Sequence, residues 1–381
     1  MRQSAAWPAG VDGRIDAEPV LDPLALLASP GPNGPALLSV LHSLGPDEIP
    51  GLVERLVHHR VDGLAWRALG GLPAAETDTW LRATVRRRHQ QRAAAALAQG
   101  LALAETLESF AHDGIPVVVM RGLRNSEWIY RDAGSRPFED HDLLVRTQDE
   151  TAAAALLTRL GCEPIAPGLF RRGGVAFDLH TDPLGARRRP ARARVLAIDT
   201  EAMFRDARPG LVAGAPALLL QDEDDAILLA IHVVKHSFDR LVRTADLAHL
   251  VAVHGRAISW ERVREKAERA HALGLVGLAF GGAESLGVTA PSAIRPPEPV
   301  RGLTGLLLRR VRALRPLPYS GEILVALAAP RLRDRAAFLL DALLPGGEAP
   351  ADGWRAADLP RRTVVLLDGA VRSMRDRGRT R

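Results

Sequence analysis

Residues 136–145 have the sequence RPFEDHDLLV, in which acids stand at the start of an apolar strand. Asp140 and Asp142 are two positions apart, so their side chains point to the same face of a strand. Two carboxylates held that close repel each other, and a cation between them relieves the repulsion. Acid pairs are also common at solvated strand ends, so the motif alone leaves both interpretations open.

A second apolar strand with acids is predicted at residues 175–180, VAFDLH. Asp178 and His180 share one face of it, and the other face is apolar. If the two strands are neighbours, the carboxylates of Asp140, Asp142 and Asp178 meet on one side of the sheet. Such a set suits Mg²⁺ or Mn²⁺, which prefer oxygen ligands.

Two such ions about 3.5–4 Å apart can hold an attacking and a leaving oxygen in line. The pattern therefore predicts phosphoryl or nucleotidyl transfer. We expect Asp140 and Asp142 to be metal ligands. We expect Asp178 to bind the second metal and to receive the proton of the acceptor.

The surrounding periodicity predicts an α+β fold with a small mixed sheet. A strand at 117–120, VVVM, precedes a helix at 123–130, and the strand from Asp140 precedes a helix at 149–163. Gly173-Gly174 then indicates a hairpin turn, and the pattern turns helical from Leu218 onward. The predicted divisions are a flexible lead at 1–22, an N-terminal helical segment at 23–112, a catalytic core at 113–200, a helical domain closing the nucleotide cleft at 201–288, and a C-terminal helical segment with a charged tail at 300–381.

Composition limits the possible partners and compartments. The net charge is +5, but the basic residues are scattered and almost all are arginine, so nucleic acid is not expected and an anionic small substrate fits equally well. The single cysteine, Cys162, excludes a disulfide framework and a cysteine-based zinc cluster. A reducing cytoplasm is the expected compartment, and no apolar run predicts a membrane span.

These motifs resemble the uncharacterised nucleotidyltransferase family of the polymerase-β-like superfamily. The family pattern runs apolar-Lys-Gly, Tyr, Arg-Pro, Asp-apolar-Asp-Leu-Leu-Val and apolar-Asp/Glu-apolar-His, and the resemblance extends over about residues 40–290. The corresponding residues here are Arg121-Gly122, Tyr130, Arg136-Pro137, Asp140-His141-Asp142-Leu143-Leu144-Val145 and Asp178-Leu179-His180. The resemblance implies that Asp140, Asp142 and Asp178 are the catalytic carboxylates.

Two positions depart from the family pattern. Arg121 replaces the lysine before glycine; it keeps the positive charge, but a guanidinium differs in geometry from an ammonium. His141 replaces an apolar residue between the acids, and alternation predicts that it points away from the metal side. Gly122, between a strand and a helix, is the expected phosphate loop, whereas Gly134-Ser135 is interpreted as an ordinary loop.

The helical half adds candidate ligands. His232 and His236 are spaced i and i+4, which suits a zinc pair, but Val233 stands where a metalloprotease needs glutamate. Hydrogen bonding in a helix interface and lining of a nucleotide cleft are the other interpretations. Arg243 and Asp246 could form an i,i+3 salt bridge. The expected nucleotide-binding residues are Arg121, Gly122, Arg136, His180, His232, Lys235, His236 and Arg243.

Together these features predict a Mg²⁺-dependent nucleotidyltransferase. It would move a nucleoside monophosphate from an NTP, with ATP expected, to an acceptor hydroxyl on a small molecule, peptide or protein, and release pyrophosphate. Two alternatives stay open: a nucleotide-binding regulatory protein on the same fold, and transfer of a sugar or another phosphate-activated group in natural-product tailoring.

Overall fold

The computed structural model describes residues 22–185, 191–295, 320–328 and 331–343. Apart from Asp22, the predicted flexible lead lies outside these residues, as do the charged tail and most of the C-terminal segment. None of the described helices has the length and apolar character needed to cross a membrane.

Helices form the N-terminal part, with bounds α1 Pro23–Ala28, α2 Gly34–His42, α3 Glu48–His58, α4 Asp62–Gly70 and α5 Thr79–His112. Side-chain caps set several of their starts. The Asp22 carboxylate accepts a hydrogen bond of 3.0 Å from the Leu24 amide at α1, and Asp78 accepts one of 2.6 Å from Leu81 at α5. Helix α5 runs for 34 residues and ends before Gly114, whose φ of +68° a glycine adopts readily.

Next along the chain come β1 Val118–Val119, α6 Leu123–Asn125 with a π turn at Ser126–Tyr130, β2 Asp140–Leu144, α7 Glu150–Arg159, β3 Glu163–Ala166, β4 Leu169–Arg172 and β5 Val175–His180. The predicted order of strand, helix, strand, helix and hairpin is confirmed, and β3 is an additional strand. Asp149 precedes α7, but its side chain makes no capping hydrogen bond.

The remaining described elements are α8 Ala191–Val195, α9 Thr200–Asp206, β6 Arg208–Val212, β7 Ala215–Leu219, α10 Asp222–Lys235, α11 Leu241–His254, α12 Trp260–Arg269, α13 Leu273–Ala283, α14 Ser320–Ala328 and α15 Leu332–Leu343. Most of them are helical, as the periodicity after Leu218 predicts. Ser259 caps α12 by accepting from the Arg262 amide at 3.5 Å.

The strands form one seven-stranded sheet in the order β3-β4-β5-β2-β1-β7-β6. Strands β2 and β5 are parallel, as are β1 and β7, and the other neighbouring pairs are antiparallel. The mixed sheet and its surrounding helices confirm the α+β fold class.

The hairpin of β6 and β7 lies inside the range 201–288, which the predicted division assigns to a helical domain, although the helical periodicity begins only at Leu218. Its first strand contains Pro209 and Gly210, residues that normally interrupt a strand and are tolerated at a sheet edge. Strand β6 is such an edge, so the tertiary position of the hairpin permits a strand that local propensity disfavours. The division of the chain into domains stays a prediction.

Apolar cores cover both faces of the sheet. Leu143 and Phe177 pack on one face in a cluster with Leu107 of α5 and Leu156 of α7. Leu144 packs on the opposite face. That second cluster also contains Val118, Met120, Phe204 of α9 and Leu228 of α10. Since Asp140 and Asp142 alternate with Leu143, they share the face of Leu144, which is the side of α9 and α10.

Four consecutive acids, Asp222 to Asp225, open α10 and attach it to its neighbours. Lys266 donates to Asp224 at 2.7 Å, and the Ser259 amide donates to Glu223 at 3.3 Å. Arg124 donates to the buried Asp225 at 3.4 Å. Carboxylates in the first turn also complement the helix dipole.

Asp225→Asn is expected to change how stability depends on pH. Burial and then the charges of Asp222 and Asp224 raise the pKa of Asp225 to about 7, and the charge of Arg124 opposes this rise. The folded protein therefore holds a proton that the unfolded chain has released. The stabilisation from this group is complete below about pH 4 and is lost as pH rises through about 7, at about 1.4 kcal/mol per pH unit.

Urea denaturation between pH 5 and 8 measures this effect. The asparagine introduced by Asp225→Asn cannot ionise, so the variant should not lose this stabilisation as pH rises. The free energy of unfolding of the variant minus that of the wild type should therefore increase with pH. Asp149→Asn, which changes an acid without a capping bond, should track the wild type. A difference between Asp225→Asn and wild type that is constant across this range would contradict the prediction.

Candidate active site

The parallel pairing of β2 with β5 brings the predicted carboxylates together. Asp142 lies directly opposite Asp178 in the register, and Asp140 lies opposite Ala176. The predicted neighbour relationship of these strands is therefore confirmed. Asp140 begins β2, Asp142 lies at the centre of β2, and Asp178 lies in the carboxyl-terminal half of β5. All three are on the face of the sheet that α10 covers.

Asp142, Asp178 and His180 form a group that could hold a metal ion, because one ligand atom from each lies within 4.8 Å of the others. The His180 Nε2 atom is 2.9 Å from Asp142 Oδ1 and 3.2 Å from Asp178 Oδ2. Burial disfavours a charged His180, but its hydrogen bonds to the two acids outweigh burial and raise its pKa to about 8.

Arg121 makes a two-point contact with Asp142. Its Nε donates to Asp142 Oδ2 at 2.9 Å, and its Nη2 donates to Oδ1 at 2.7 Å. Both side chains are buried. Burial opposes ionisation of Asp142, yet Arg121 and then His180 hold its pKa well below the usual value. Arginine at this position thus grips one carboxylate with a planar fork that a lysine lacks.

Asp140 is adjacent to this group but is not part of it. Burial and then the charge of Asp142 raise the pKa of Asp140 to about 6, and Arg121 opposes this rise. The crowding of negative charge is what a divalent cation would relieve. The roles of Asp140, Asp142 and Asp178 as metal ligands stay predictions.

His141 lies on the opposite face, as alternation predicts. It is fully buried, and its ring centroid is 5.2 Å from that of Phe138 and 5.8 Å from that of Phe177. Burial lowers its pKa to about 4, so the ring is neutral near pH 7. This departure from the family pattern therefore leaves the acidic face unchanged.

Gly122 is required by close packing over β2. Its φ is +80° and its ψ is −129°, a region that is essentially restricted to glycine. A Cβ atom here would lie 2.6 Å from Asp140 O and 3.0 Å from His141 Nδ1. The helix that follows has only three residues before the π turn, so the role of Gly122 as a phosphate loop stays a prediction.

Gly122→Ala should reduce the free energy of unfolding by at least about 2 kcal/mol, since it adds backbone strain and a steric overlap with β2. Urea denaturation measures the loss. Gly51→Ala is the matched control, because Gly51 has open space around it inside α3 and alanine favours helices. Equal stability of Gly122→Ala and Gly51→Ala would contradict the prediction.

Lys235 and two histidines, His232 and His236, lie at the carboxyl-terminal end of α10, within electrostatic range of the site. The charge of Arg121 acts on His232, Lys235 and His236, and the charge of Asp142 acts on Lys235. Burial and then Arg121 lower the pKa of Lys235 to about 7. Burial and then Arg243 lower that of His236 to about 3. The structure thus places these candidates beside the predicted metal site, and their role as nucleotide ligands stays a prediction.

His232 of α10 and His236, which follows the helix directly, lie with ring centroids 4.5 Å apart. Arg243 Nε contacts His232 Nε2 at 3.3 Å, so His232 takes part in a hydrogen-bonded interface between α10 and α11. Within the described ranges, these two rings do not join a group of three metal-ligating residues. The zinc interpretation gains no support from their surroundings.

The predicted salt bridge between Arg243 and Asp246 is wrong. Arg243 pairs with Asp239, four residues earlier. Asp246 instead accepts from Arg136 Nε at 2.8 and 3.0 Å and from the Tyr130 hydroxyl at 2.8 Å. The physical reason is that Asp246 points into the buried contact with residues 126–136, where it neutralises Arg136. That pairing gives Arg136 a structural partner, and its predicted contact with a nucleotide stays untested.

Two residues near Lys235 were not anticipated from the sequence. Arg192 lowers and Glu322 raises the pKa of Lys235, after the larger effects of burial and Arg121. Both come from outside the recognised motifs, and Glu322 is 87 positions from Lys235 in the chain. No local pattern signals a contact over such a separation.

Comparison with known proteins agrees with this geometry. A family model described as uncharacterised nucleotidyltransferase matches residues 46–286, more than half of the 381 residues. No curated protein and no solved structure matches the chain significantly. The match contains β2 and β5, which carry the acids, and α10, which carries Lys235. The chain belongs to the uncharacterised nucleotidyltransferase family.

Proposed function

We propose that the protein is a divalent-cation-dependent nucleotidyltransferase. It would transfer a nucleoside monophosphate from an NTP, with ATP as the expected donor, to a hydroxyl of a small molecule, peptide or protein. The observation that carries the proposal is the pairing of Asp142 opposite Asp178, on a sheet face where the charge of Asp142 acts on Lys235 of α10. Family membership supports nucleotidyl transfer in general.

The donor set fits Mg²⁺ or Mn²⁺. Asp140, Asp142 and Asp178 offer oxygen ligands, and the pKa of Asp140 is raised because burial and neighbouring acids disfavour its charged form. Asp142, Asp178 and Asp140 would hold the ion, with His180 hydrogen-bonded beside them. A cation bound there would neutralise phosphate charge and align the oxygens of the triphosphate.

The remaining steps use the side chains of the chain itself. Four side chains would bind the triphosphate and orient its α-phosphorus, namely those of Arg121, His232, Lys235 and His236. The acceptor oxygen forms a bond to that phosphorus, while the bond to the bridging oxygen breaks and pyrophosphate leaves with the electron pair. The proton of the acceptor passes to a carboxylate oxygen of Asp178. Positioning and charge neutralisation supply most of such catalysis.

A nucleotide-binding regulatory protein is the second candidate. The observation that favours it is the bidentate grip of Arg121 on both oxygens of Asp142, which leaves that carboxylate satisfied without a metal. A reducing compartment such as the cytoplasm is a further part of our proposal and rests on the single buried Cys162.

Calorimetric titration of ATP with and without Mn²⁺ tests the proposal directly. The wild type should bind ATP more tightly with the metal, and Asp142→Ala should lose this dependence, whereas Asp149→Ala should keep it. Nucleotide binding that is indifferent to metal in both wild type and Asp142→Ala would reject the enzyme and favour a regulatory protein.

A screen of donors and acceptors with product mass spectrometry tests the group transferred. A mass gain equal to a nucleoside monophosphate supports nucleotidyl transfer, whereas a gain equal to a hexose rejects it in favour of sugar transfer.

A further inference from the structure

Helix α14 packs its first turn on the end of α10. The Gly321 amide donates to the Ser237 hydroxyl at 2.8 Å. A Cβ on Gly321 would overlap the Val234 carbonyl oxygen and would lie 2.8 Å from the Lys235 carbonyl oxygen. Glycine therefore permits the two backbones to touch at Lys235 itself. Residues 320–328 lie beyond the region 46–286 that the family model matches.

The contact also fixes an unusual turn. Ser237 and Phe238 both have φ of +56°, a conformation that side chains other than glycine seldom adopt. Phe238 is fully buried, and Ser237 is tied to α14 through Gly321. The amino-terminal end of α14 meets the carboxyl-terminal end of α10, an arrangement in which the two helix dipoles attract. The backbone at the end of α10 is thus fixed by the buried Phe238 and by the contact of Ser237 with α14.

Glu322 adds a charge to the same place. It pairs with Arg192 at 3.6 Å, and Arg192 also donates to the Leu184 carbonyl at 3.0 Å, four residues after His180. Glu322 thereby connects α14 to the segment that follows β5. The charged and titratable groups that act on Lys235 or on which Lys235 acts are Arg121, Asp142, Arg192, His232, His236 and Glu322.

We propose that α14 is part of the nucleotide site and that Gly321 and Glu322 are positioning residues for Lys235. Gly321 sets the close approach that excludes water from the end of α10. Glu322 balances the surplus of positive charge, so that Lys235 keeps a proton for an anionic ligand while Arg121 and Arg192 stand nearby. The inference rests on the proposed function in one respect, namely that Lys235 binds the triphosphate.

The sequence offers a direct measurement, since Lys235 and Lys266 are its only lysines. Trace acylation of the full-length protein with acetic anhydride, followed by mass spectrometry, gives the labelling rate of each lysine as a function of pH, with Lys266 as the internal reference. The rate follows the neutral amine, and its midpoint reports the pKa. The variants are Gly321→Ala and Glu322→Gln, with Gly51→Ala as the matched glycine control.

The two variants should move the midpoint of Lys235 in opposite directions. Gly321→Ala admits water and raises the midpoint, which slows labelling at pH 6 about ten-fold for each unit of rise. Glu322→Gln removes a negative charge and lowers the midpoint, which speeds labelling at pH 6 about three-fold for half a unit. Gly51→Ala should match the wild type.

Three outcomes test whether α14 positions Lys235. Opposite shifts support the role of α14. Unshifted midpoints in both variants, or the same upward shift in both, would overturn it, because a general loosening raises the midpoint in either case. Protection of Lys235 by ATP with Mn²⁺ is read separately in the wild type: its absence counts against the proposed nucleotide contact of Lys235, whatever the variants show.

Discussion

Asp142→Asn is expected to lower kcat by a factor on the order of 1,000, because charge stabilisation of this type contributes about 3–4 kcal/mol to a transition state. The change keeps the shape of the side chain and removes its charge. It takes away the carboxylate opposite Asp178 and the partner of the buried Arg121. The rate is measured with the donor and acceptor that the mass-spectrometric screen identifies, and Mn²⁺ affinity is measured in parallel.

Glu139→Gln is the matched control for this prediction. Glu139 belongs to the same EDHD stretch, but its side chain is 73% exposed and pairs with Arg60. Its loss should leave kcat within about two-fold, as expected for a surface ion pair. If Asp142→Asn keeps activity within about ten-fold of the wild type while folding normally, the acidic face does not carry the chemistry.

Asp246→Ala is expected to reduce the free energy of unfolding by about 3–5 kcal/mol, because it leaves a buried cation without its partner. The carboxylate neutralises Arg136 and accepts a hydrogen bond from the Tyr130 hydroxyl. The side chains of Asp246 and Arg136 are only 2% and 8% exposed. Tyr130 and Arg136 lie between β1 and β2, and Asp246 lies in α11, so the loss would also loosen the contact between these parts. Urea denaturation gives the difference.

Asp239→Ala provides the comparison, since Asp239 also pairs with an arginine at α11 but is 39% exposed. Its loss should cost less than about 1 kcal/mol. The double variant Asp246→Leu with Arg136→Met should recover part of the stability, because it removes both buried charges. Similar losses from Asp246→Ala and Asp239→Ala would show that burial of the pair does not govern its energy.

Local pattern was sufficient for much of the site. Alternation in β2 placed Asp140 and Asp142 on one face and His141 on the other, and the structure confirms both. The glycine pair at 173–174 marked the turn between β4 and β5, where Gly173 has φ of +58°. These features depend on the two-residue period of a strand and on backbone sterics, which act within a few residues.

Other features could not be predicted from local pattern, because they depend on partners far along the chain. Strand β6 contains Pro209 and Gly210, which disfavour strands, and its place at the sheet edge tolerates them. Arg243, three residues earlier, was a plausible partner for Asp246, yet Asp246 pairs with the buried Arg136, whose Nε lies 2.8 Å from Asp246 Oδ1. Desolvation decides this choice, since an unpaired charge costs more inside the protein than at its surface.

The sequence by itself determined which side chains share a strand face, where the tight turns lie and which family the motifs resemble. Tertiary structure decided that Asp142 stands opposite Asp178, that Arg121 grips Asp142, and that α14 packs against Lys235. The physical reason is the range of the forces involved. Strand alternation and turn sterics are set by neighbouring residues, whereas register, ion-pair choice and helix docking are set by which surfaces and charges must be buried together.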